Sequence, residues 1–265
     1  MWAELTTTPL YIGILNLTPD SFSDGGRFME PDRALAQALE LVRTGARMLD
    51  LGAESTRPGA AAVDAATEWR RLAPVLSALR SALPRVPLSL DTRHGSVAAR
   101  GLEGGVSVLN DVTGFSDPDM LALARTSPCG LIAMRSRRLG AGFHMPPYDD
   151  PDPKDAAGVL QELREVRDRL LGAGIPTDRV LLDPGFGFGT TYLEDRALWE
   201  ALPHLPGALA WPANRLCLGL SRKRFLAARA GAPGLPPAQR DGLTRAAHAE
   251  AFAWGYRVFR THAIG

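Results

Sequence analysis

The run YIGILN, residues 11–16, is a short apolar stretch that stops at an asparagine, and its format recurs along the chain. MLDLG (48–52) carries Asp50, PLSLD (87–91) ends at Asp91, SVLN (107–110) ends at Asn110, and VLLD (180–183) ends at Asp183. RLCLGL (215–220) runs into Ser221, Arg222 and Lys223, and YRVF (256–259) leads to Arg260 and His262. Helix-like sequence follows each run, and strands alternating with helices specify a parallel sheet. Polar groups at the carboxyl ends of successive strands are how a (β/α)8 barrel, an α/β fold, builds a site on its top face.

The intervening segments support that reading. Residues 31–46 have helical periodicity with Leu35, Leu39 and Val42 on one face, and 64–83 place Trp69, Leu72, Val75, Leu76 and Leu79 at helical spacing. Further helices are expected over 95–103, 118–125, 154–171, 193–202 and 238–254. The sequence ends three residues after His262, so an eighth helix is missing and apolar strand surface is expected to lie bare there. Two long loops, 16–30 and 53–63, have the length of functional lids, and 135–153 is another irregular stretch.

Composition narrows the function. The chain of 265 residues matches the size of a one-domain barrel, and we read residues 1–265 as one domain. Hydrophobic residues make up 45%, enough for a large core. The net charge of +1, with no basic block, argues against a nucleic-acid partner. No apolar run approaches the ~18 residues of a membrane span. The first residues, MWAELTTTPLYIG, lack the pattern of a signal peptide, so the cytosol is expected. The two cysteines, Cys129 and Cys217, have no metal-ligand spacing. Of 30 basic residues only Lys154 and Lys223 are lysine, which marks Lys223, next to a strand end, as chosen for its chemistry.

Longer motifs then identify a family. ILNLTPDSFSDGGRF, LGAESTRPGA, SLDTR, LNDVTG, LLDPGFGFG, LGLSRKRF and the final RTH resemble, in order and spacing, the signatures of dihydropteroate synthase, over roughly residues 11–262. The resemblance implies a pterin-binding TIM barrel that joins 6-hydroxymethyl-7,8-dihydropterin diphosphate to p-aminobenzoate and releases diphosphate, in folate synthesis, with Mg2+ as cofactor. It also implies a homodimer and the target of sulfonamides. Asp91, Asn110 and Asp183 would read the pterin edge, since carboxylates accept from ring N–H groups and an amide both donates and accepts. Met134 would pack on the ring, and Lys223 would reach its carbonyl and ring nitrogen. Asn16, Thr56, Arg57, Arg260 and His262 would hold the diphosphate. Asn16 would also ligate Mg2+, with Asp24 helping to hold the ion or the developing cation. Phe22, Pro58 and Phe188 would sandwich the benzoate ring, and Arg224, at a helix start, would meet its carboxylate.

Plainer readings stand beside these. A lone Asp after a strand is commonly a helix cap, the role expected of Asp111. Lys223 could be a surface lysine, and a Schiff base there is disfavoured because a lysine beyond the strand is hard to desolvate. Phe22 could plug the core under its loop. Gly25 and Gly26 would let the first loop swing. Gly185, Gly187 and Gly189 recur as GxGxG, but no strand with an acidic end follows on a Rossmann schedule. The chain departs from the family at Ala133 (usually His), at Arg135-Ser136-Arg137-Arg138, at Thr190 (often Lys), at Arg224 (often Ser) and after His262. Two alternatives remain at this stage. A methyltetrahydrofolate-dependent methyltransferase would not need the NLTPDSFSDGG, STRPG and SRK motifs, and a non-catalytic pterin-binding paralogue would not need Asn16, Arg57, Lys223, Arg260 and His262.

Overall fold

The computed structural model describes residue 2 and residues 7–17, 30–55, 62–139, 142–143 and 155–264. Five strands come first: β1 (Leu10–Asn16), β2 (Met48–Gly52), β3 (Leu88–Asp91), β4 (Val108–Asp111) and β5 (Gly130–Met134). A small antiparallel pair, β6 (Arg138–Leu139) and β7 (Gly142–Phe143), stands apart. β8 (Val180–Asp183), β9 (Cys217–Leu218) and β10 (Val258–Thr261) complete a parallel sheet in the order β8-β5-β4-β3-β2-β1-β10-β9. A parallel bridge between Leu182 and Leu216 joins its two ends, so the expected barrel is present.

Register decides what the barrel encloses. The pairs Ile12↔Met48, Asp50↔Ser89, Asp91↔Asn110, Asn110↔Ile132, Met134↔Asp183 and Ile12↔Arg260 put these side chains on one face, because side chains alternate with period two. A lower inward layer of Ile12, Met48, Val108, Ile132, Leu181, Cys217 and Val258 is entirely apolar and buried. Trp2 packs on it, and its Nε1–H donates to the Arg179 carbonyl at 2.9 Å, just before β8 begins. The barrel floor is therefore a dry plug. Two residues further along, the same face carries Asp50, Asn110, Met134, Asp183 and Arg260. The opposite face, with Leu15, Leu49, Leu51, Leu90, Leu109, Leu131, Leu182 and Phe259, belongs to the larger core shared with the helices.

The helices are α1 (Glu30–Arg43), α2 (Ala65–Ala82), α3 (Gly95–Glu103), α4 (Pro118–Thr126), α5 (Ala157–Gly172), α6 (Tyr192–Ala201), α7 (Leu205–Leu209), α8 (Arg224–Arg229) and α9 (Asp241–Ala253). The seven expected helices are present, and α7 and α8 are additions too short to show a periodicity. Three start signals operate as chemistry dictates. Asp64 caps α2, Asp117 caps α4, and Thr191 with Glu194 forms a reciprocal capping box on α6. Asp111 is not the cap expected of it. Its carboxylate accepts from the N–H groups of Thr113 and Phe115 at 2.7 and 2.9 Å, holding a turn in which Gly114 and Phe115 both have positive φ.

Two further expectations change. In α1 the buried residues are Ala34, Ala38 and Leu41, whereas Leu39 is 47% exposed. Leu35 and Val42 of the expected face do pack on this core, partly buried, so of the three only Leu39 points outward. Small alanines face inward because the helix lies close to β1, where a Cβ on Gly13 would stand 3.0 Å from Leu41 Cδ1. Among the described residues no helix follows β10, yet its outer face is covered. Phe259 is fully buried, with the His248 and Tyr11 rings at 4.6 and 5.9 Å, and Ile264 packs on the same core.

Trp2→Ala removes the floor of the barrel and leaves the Arg179 carbonyl without its donor. We expect a loss of about 3–5 kcal/mol, read from the denaturant midpoint of unfolding. An unchanged midpoint would mean that the plug adds nothing to stability.

Candidate active site

The upper inward layer is a buried charge cluster. Arg260 donates from Nε to Asp50 Oδ2 at 2.5 Å and from Nη2 to Asp91 Oδ2 at 2.5 Å. Asn110 Nδ2 donates to the same Asp50 oxygen at 3.0 Å. Asp50 is fully buried, and among the described residues its other oxygen has no hydrogen-bond partner, nor has the hydroxyl of Ser89, its register neighbour. Two carboxylates thus share one guanidinium. Burial pushes Asp91 up to about 7; Arg260 opposes this, while the charges of Asp50, Glu68 and Asp111 add to it. For Arg260 burial works against the charge, but Asp50 and Asp91 win and hold it firmly protonated.

Asp183 stands at the end of β8 and accepts from the Gly185 N–H at 2.8 Å. Burial raises it to about 6 against that bond and the charges of Lys223, Arg260 and Arg135. Lys223 is the N-cap residue of α8. Its ammonium sits 4.2 Å from the centroid of the Phe188 ring, and its chain lies along Gly187. Desolvation lowers it to about 8, although Asp195 and Asp183 favour its charge. The side chain is nevertheless only partly buried, with the Phe188 ring of the glycine loop covering one side of its ammonium.

That loop requires its glycines. Gly185, Gly187 and Gly189 have φ of 70°, 70° and 80°. A Cβ on Gly185 would stand 2.0 Å from the Arg135 carbonyl oxygen. The Gly187 N–H is held by Thr190 Oγ1 and Asp195 Oδ1, each at 3.0 Å, and Thr190 donates to Asp195 at 2.7 Å. Thr190, where the family often has Lys, is thus a buried loop anchor.

At the rim, His262 lies between Ser221 and Asn16. Its Nδ1 is 3.0 Å from Ser221 Oγ, and its Nε2 is 3.5 Å from Asn16 Nδ2. Burial, followed by the charges of Arg222, Arg260 and Lys223, drives His262 down to about 3. It is a neutral imidazole at pH 7, not the cation expected for an anionic leaving group.

The structure thus brings Asn16, Asp91, Asn110, Asp183, Phe188, Lys223, Arg260 and His262 to one end of the barrel, with Met134 buried on the inward face and Arg224 exposed at the first residue of α8. Phe22, Asp24, Thr56, Arg57 and Pro58 lie outside the described residues. Arg260 differs from expectation in its partners, for it points into the cluster toward two carboxylates. Asp50 was marked in the sequence as a strand-end polar residue, but its role as partner of Arg260 and Asn110 was not. Its signal was the parity of Met48-x-Asp50, which repeats Val108-x-Asn110, Leu181-x-Asp183 and Val258-x-Arg260. Ser221 and Asp195, which hold His262 and the glycine loop, had no such signal. Among the described residues, no three His, Cys, Asp or Glu side chains are grouped to hold a metal, and no helix is long and apolar enough to cross a membrane.

Comparison with known proteins agrees with this geometry. Residues 12–262 match the family model described as pterin binding enzyme. The chain is 39% identical over 255 residues to dihydropteroate synthase of Mycobacterium leprae (strain TN), covering 93% of this chain and 87% of the relative. Dihydropteroate synthase of Xanthomonas albilineans, solved with 4-aminobenzoic acid, superposes with a TM-score of 0.84 at 36% identity, covering 97% of this chain and 88% of that one. The Anaplasma phagocytophilum enzyme, solved with 6-hydroxymethylpterin-monophosphate, gives a TM-score of 0.82 at 33% identity, covering 97% of this chain and 94% of that one. The chain belongs to the dihydropteroate synthase family of pterin binding enzymes, transferases built on this barrel.

Proposed function

We propose that the chain makes 7,8-dihydropteroate, joining 6-hydroxymethyl-7,8-dihydropterin diphosphate to p-aminobenzoate with release of diphosphate, in folate synthesis. The observation that carries this reading is the inward polar layer over a dry floor. Asp91, Asn110 and Asp183 stand there on one face, with Lys223 at the rim. A pterin edge offers N–H donors to the carboxylates and a carbonyl to the ammonium, and Met134 offers the ring an apolar contact.

The unliganded charge cluster suits such a guest. Arg260 is satisfied by Asp50 and Asp91. Once pterin N–H groups occupy Asp91, the Nη2 end of Arg260 turns to the diphosphate, where Thr56 and Arg57 join it. Neutral His262 donates a hydrogen bond there, and the arriving negative charge favours its protonation. The amide oxygen of Asn16 suits Mg2+, which keeps water and phosphate oxygens as its main ligands and needs few from protein. Asn16 and Asp24 would hold the ion, whose charge would offset that of the leaving group.

The amine of p-aminobenzoate is neutral and nucleophilic near pH 7, so no strong base is needed. We propose that the methylene C–O bond breaks first, the electron pair leaving with diphosphate. The cation is shared with the pterin ring until the amine forms the C–N bond and its proton passes to water. Phe188, with Phe22 and Pro58, would enclose the benzoate ring, and Arg224 would meet its carboxylate. A homodimer in the cytosol completes the proposal.

The direct test is diphosphate release with both substrates and Mg2+, omitting each in turn. Release coupled to dihydropteroate is expected, and tight pterin binding without turnover would favour the non-catalytic paralogue instead. Pterin affinity should also depend on pH. The ionised carboxylates that accept N–H groups exist above about 7 for Asp91 and about 6 for Asp183, so affinity is lost as pH falls through that window. Isothermal titration between pH 5 and 8 checks this, and a flat profile would contradict the assignment.

Asp50→Asn keeps shape but removes one charged partner of Arg260. Pterin diphosphate should bind about tenfold or more weakly, as for losing a charge-assisted bond. The acid limb should move to lower pH, because the Asp50 charge helps raise Asp91. An unmoved acid limb would show that Asp50 is only a structural group.

A further inference from the structure

The Arg135-Ser136-Arg137 segment departs from the family, and its two described arginines converge on the glycine loop. Arg135 is 1% exposed. Its Nη1 donates to the carbonyls of Gly185 at 3.3 Å and Phe188 at 3.2 Å. Arg137 donates from its backbone N–H to the Phe188 carbonyl at 3.3 Å and from Nη1 to the Gly189 carbonyl at 3.1 Å. Glu162 of α5 accepts from Arg135 Nε and Arg137 Nε, each at 2.6 Å, and Glu194, in the cap of α6, accepts from Arg137 Nη1 at 2.6 Å. Three loop carbonyls are thus tied by two guanidiniums to carboxylates on two helices. A planar guanidinium donates in several fixed directions at once, which an ammonium cannot do.

We propose that Arg135 and Arg137, coupled through Glu162, are positioning residues that fix the 185–189 loop, keep Phe188 against Lys223 and so set the width of the second-substrate pocket. This rests on the reading that Phe188 lines that pocket. The arginines touch only the back of the loop, by its carbonyl oxygens, while the Phe188 ring faces the Lys223 ammonium at 4.2 Å. Loosening the clamp would let water reach Lys223. The charges acting on Lys223 directly are those of Asp195, Asp183 and Arg260; Glu162 reaches it through the arginines.

The shortage of lysine supplies a direct readout. In a Lys154→Arg background Lys223 is the chain's single lysine, and its acylation rate against pH, followed by peptide mass spectrometry, reports its pKa. The midpoint should lie near 8 and should rise toward the ordinary 10.5 in Glu162→Gln. The p-aminobenzoate KM should rise about tenfold, as for a slightly misplaced pocket wall, with pterin diphosphate affinity within about twofold of the parent. Arg137→Lys, which keeps the charge and loses the fork, should act in the same direction and serves if Glu162→Gln folds poorly. An unmoved Lys223 midpoint with an unmoved KM in a folded variant would overturn the proposal, as would pterin affinity falling in step with the p-aminobenzoate KM. Phe188→Ala separates the two levels. If it leaves the p-aminobenzoate KM unchanged, the pocket reading fails, while the Lys223 titration still decides whether the clamp positions the loop.

Discussion

One arginine shared by a buried and a partly buried carboxylate organises this barrel. Arg260 reaches Asp50 on β2 and Asp91 on β3 from β10, and Asp50 in turn holds Asn110 on β4. Four strands distant in sequence are thereby tied at one height above an apolar floor. Buried ion pairs add little to stability over apolar packing, but leaving one member unpaired costs roughly 3–5 kcal/mol. The cluster therefore fixes geometry more than it strengthens the fold. It also holds more carboxylate than cation, which is why Asp91 is pushed up to about 7. A guest rich in N–H donors relieves that imbalance.

The second constraint is the exclusion of water at the rim. Lys223, Asp183 and Asp195 all have their ionisation opposed by burial, and all three border the glycine loop. The loop's left-handed glycines let its backbone pass where no side chain would fit, so its own N–H groups serve the carboxylates of Asp183 and Asp195. Charges kept short of water interact strongly with whatever enters. Burial also makes His262 neutral, so the positive charge at this end of the barrel comes from Arg260 and Lys223.

Much of this was legible in the chain. Seven of the eight barrel strands were visible as apolar runs leading to a polar residue, whereas β5 closes on Met134 and lacked that mark, and seven helices could be placed from periodicity. The alternation of Met48-x-Asp50 and its counterparts contained the two inward layers, floor and polar ring. Local pattern could not supply partners. Asp50 reads the same whether it meets solvent or Arg260, and that pairing spans 210 residues. In α1, Leu35 and Val42 pack where periodicity put them, but the most buried positions belong to Ala34, Ala38 and Leu41, and Leu39 is exposed. The burial of Phe259 on β10 was missed because it comes from single rings, His248 and Tyr11, which leave no periodic signal.

The departures from the family fall into place on the same logic. Thr190 and the pair Arg135 and Arg137 all bond to the glycine loop, Thr190 at an N–H group and the arginines at carbonyls. Thr190 closes a buried hydrogen-bond ring with Asp195 and Gly187, while the arginines tie the loop's carbonyls to Glu162 and Glu194. A loop built from left-handed glycines loses more chain entropy on ordering than any other backbone, so it needs many fixed contacts to hold one shape. Here side chains provide them. Thr190, Arg135 and Arg137 are therefore coupled, because each contributes bonds to the same loop and each limits the shapes open to the others.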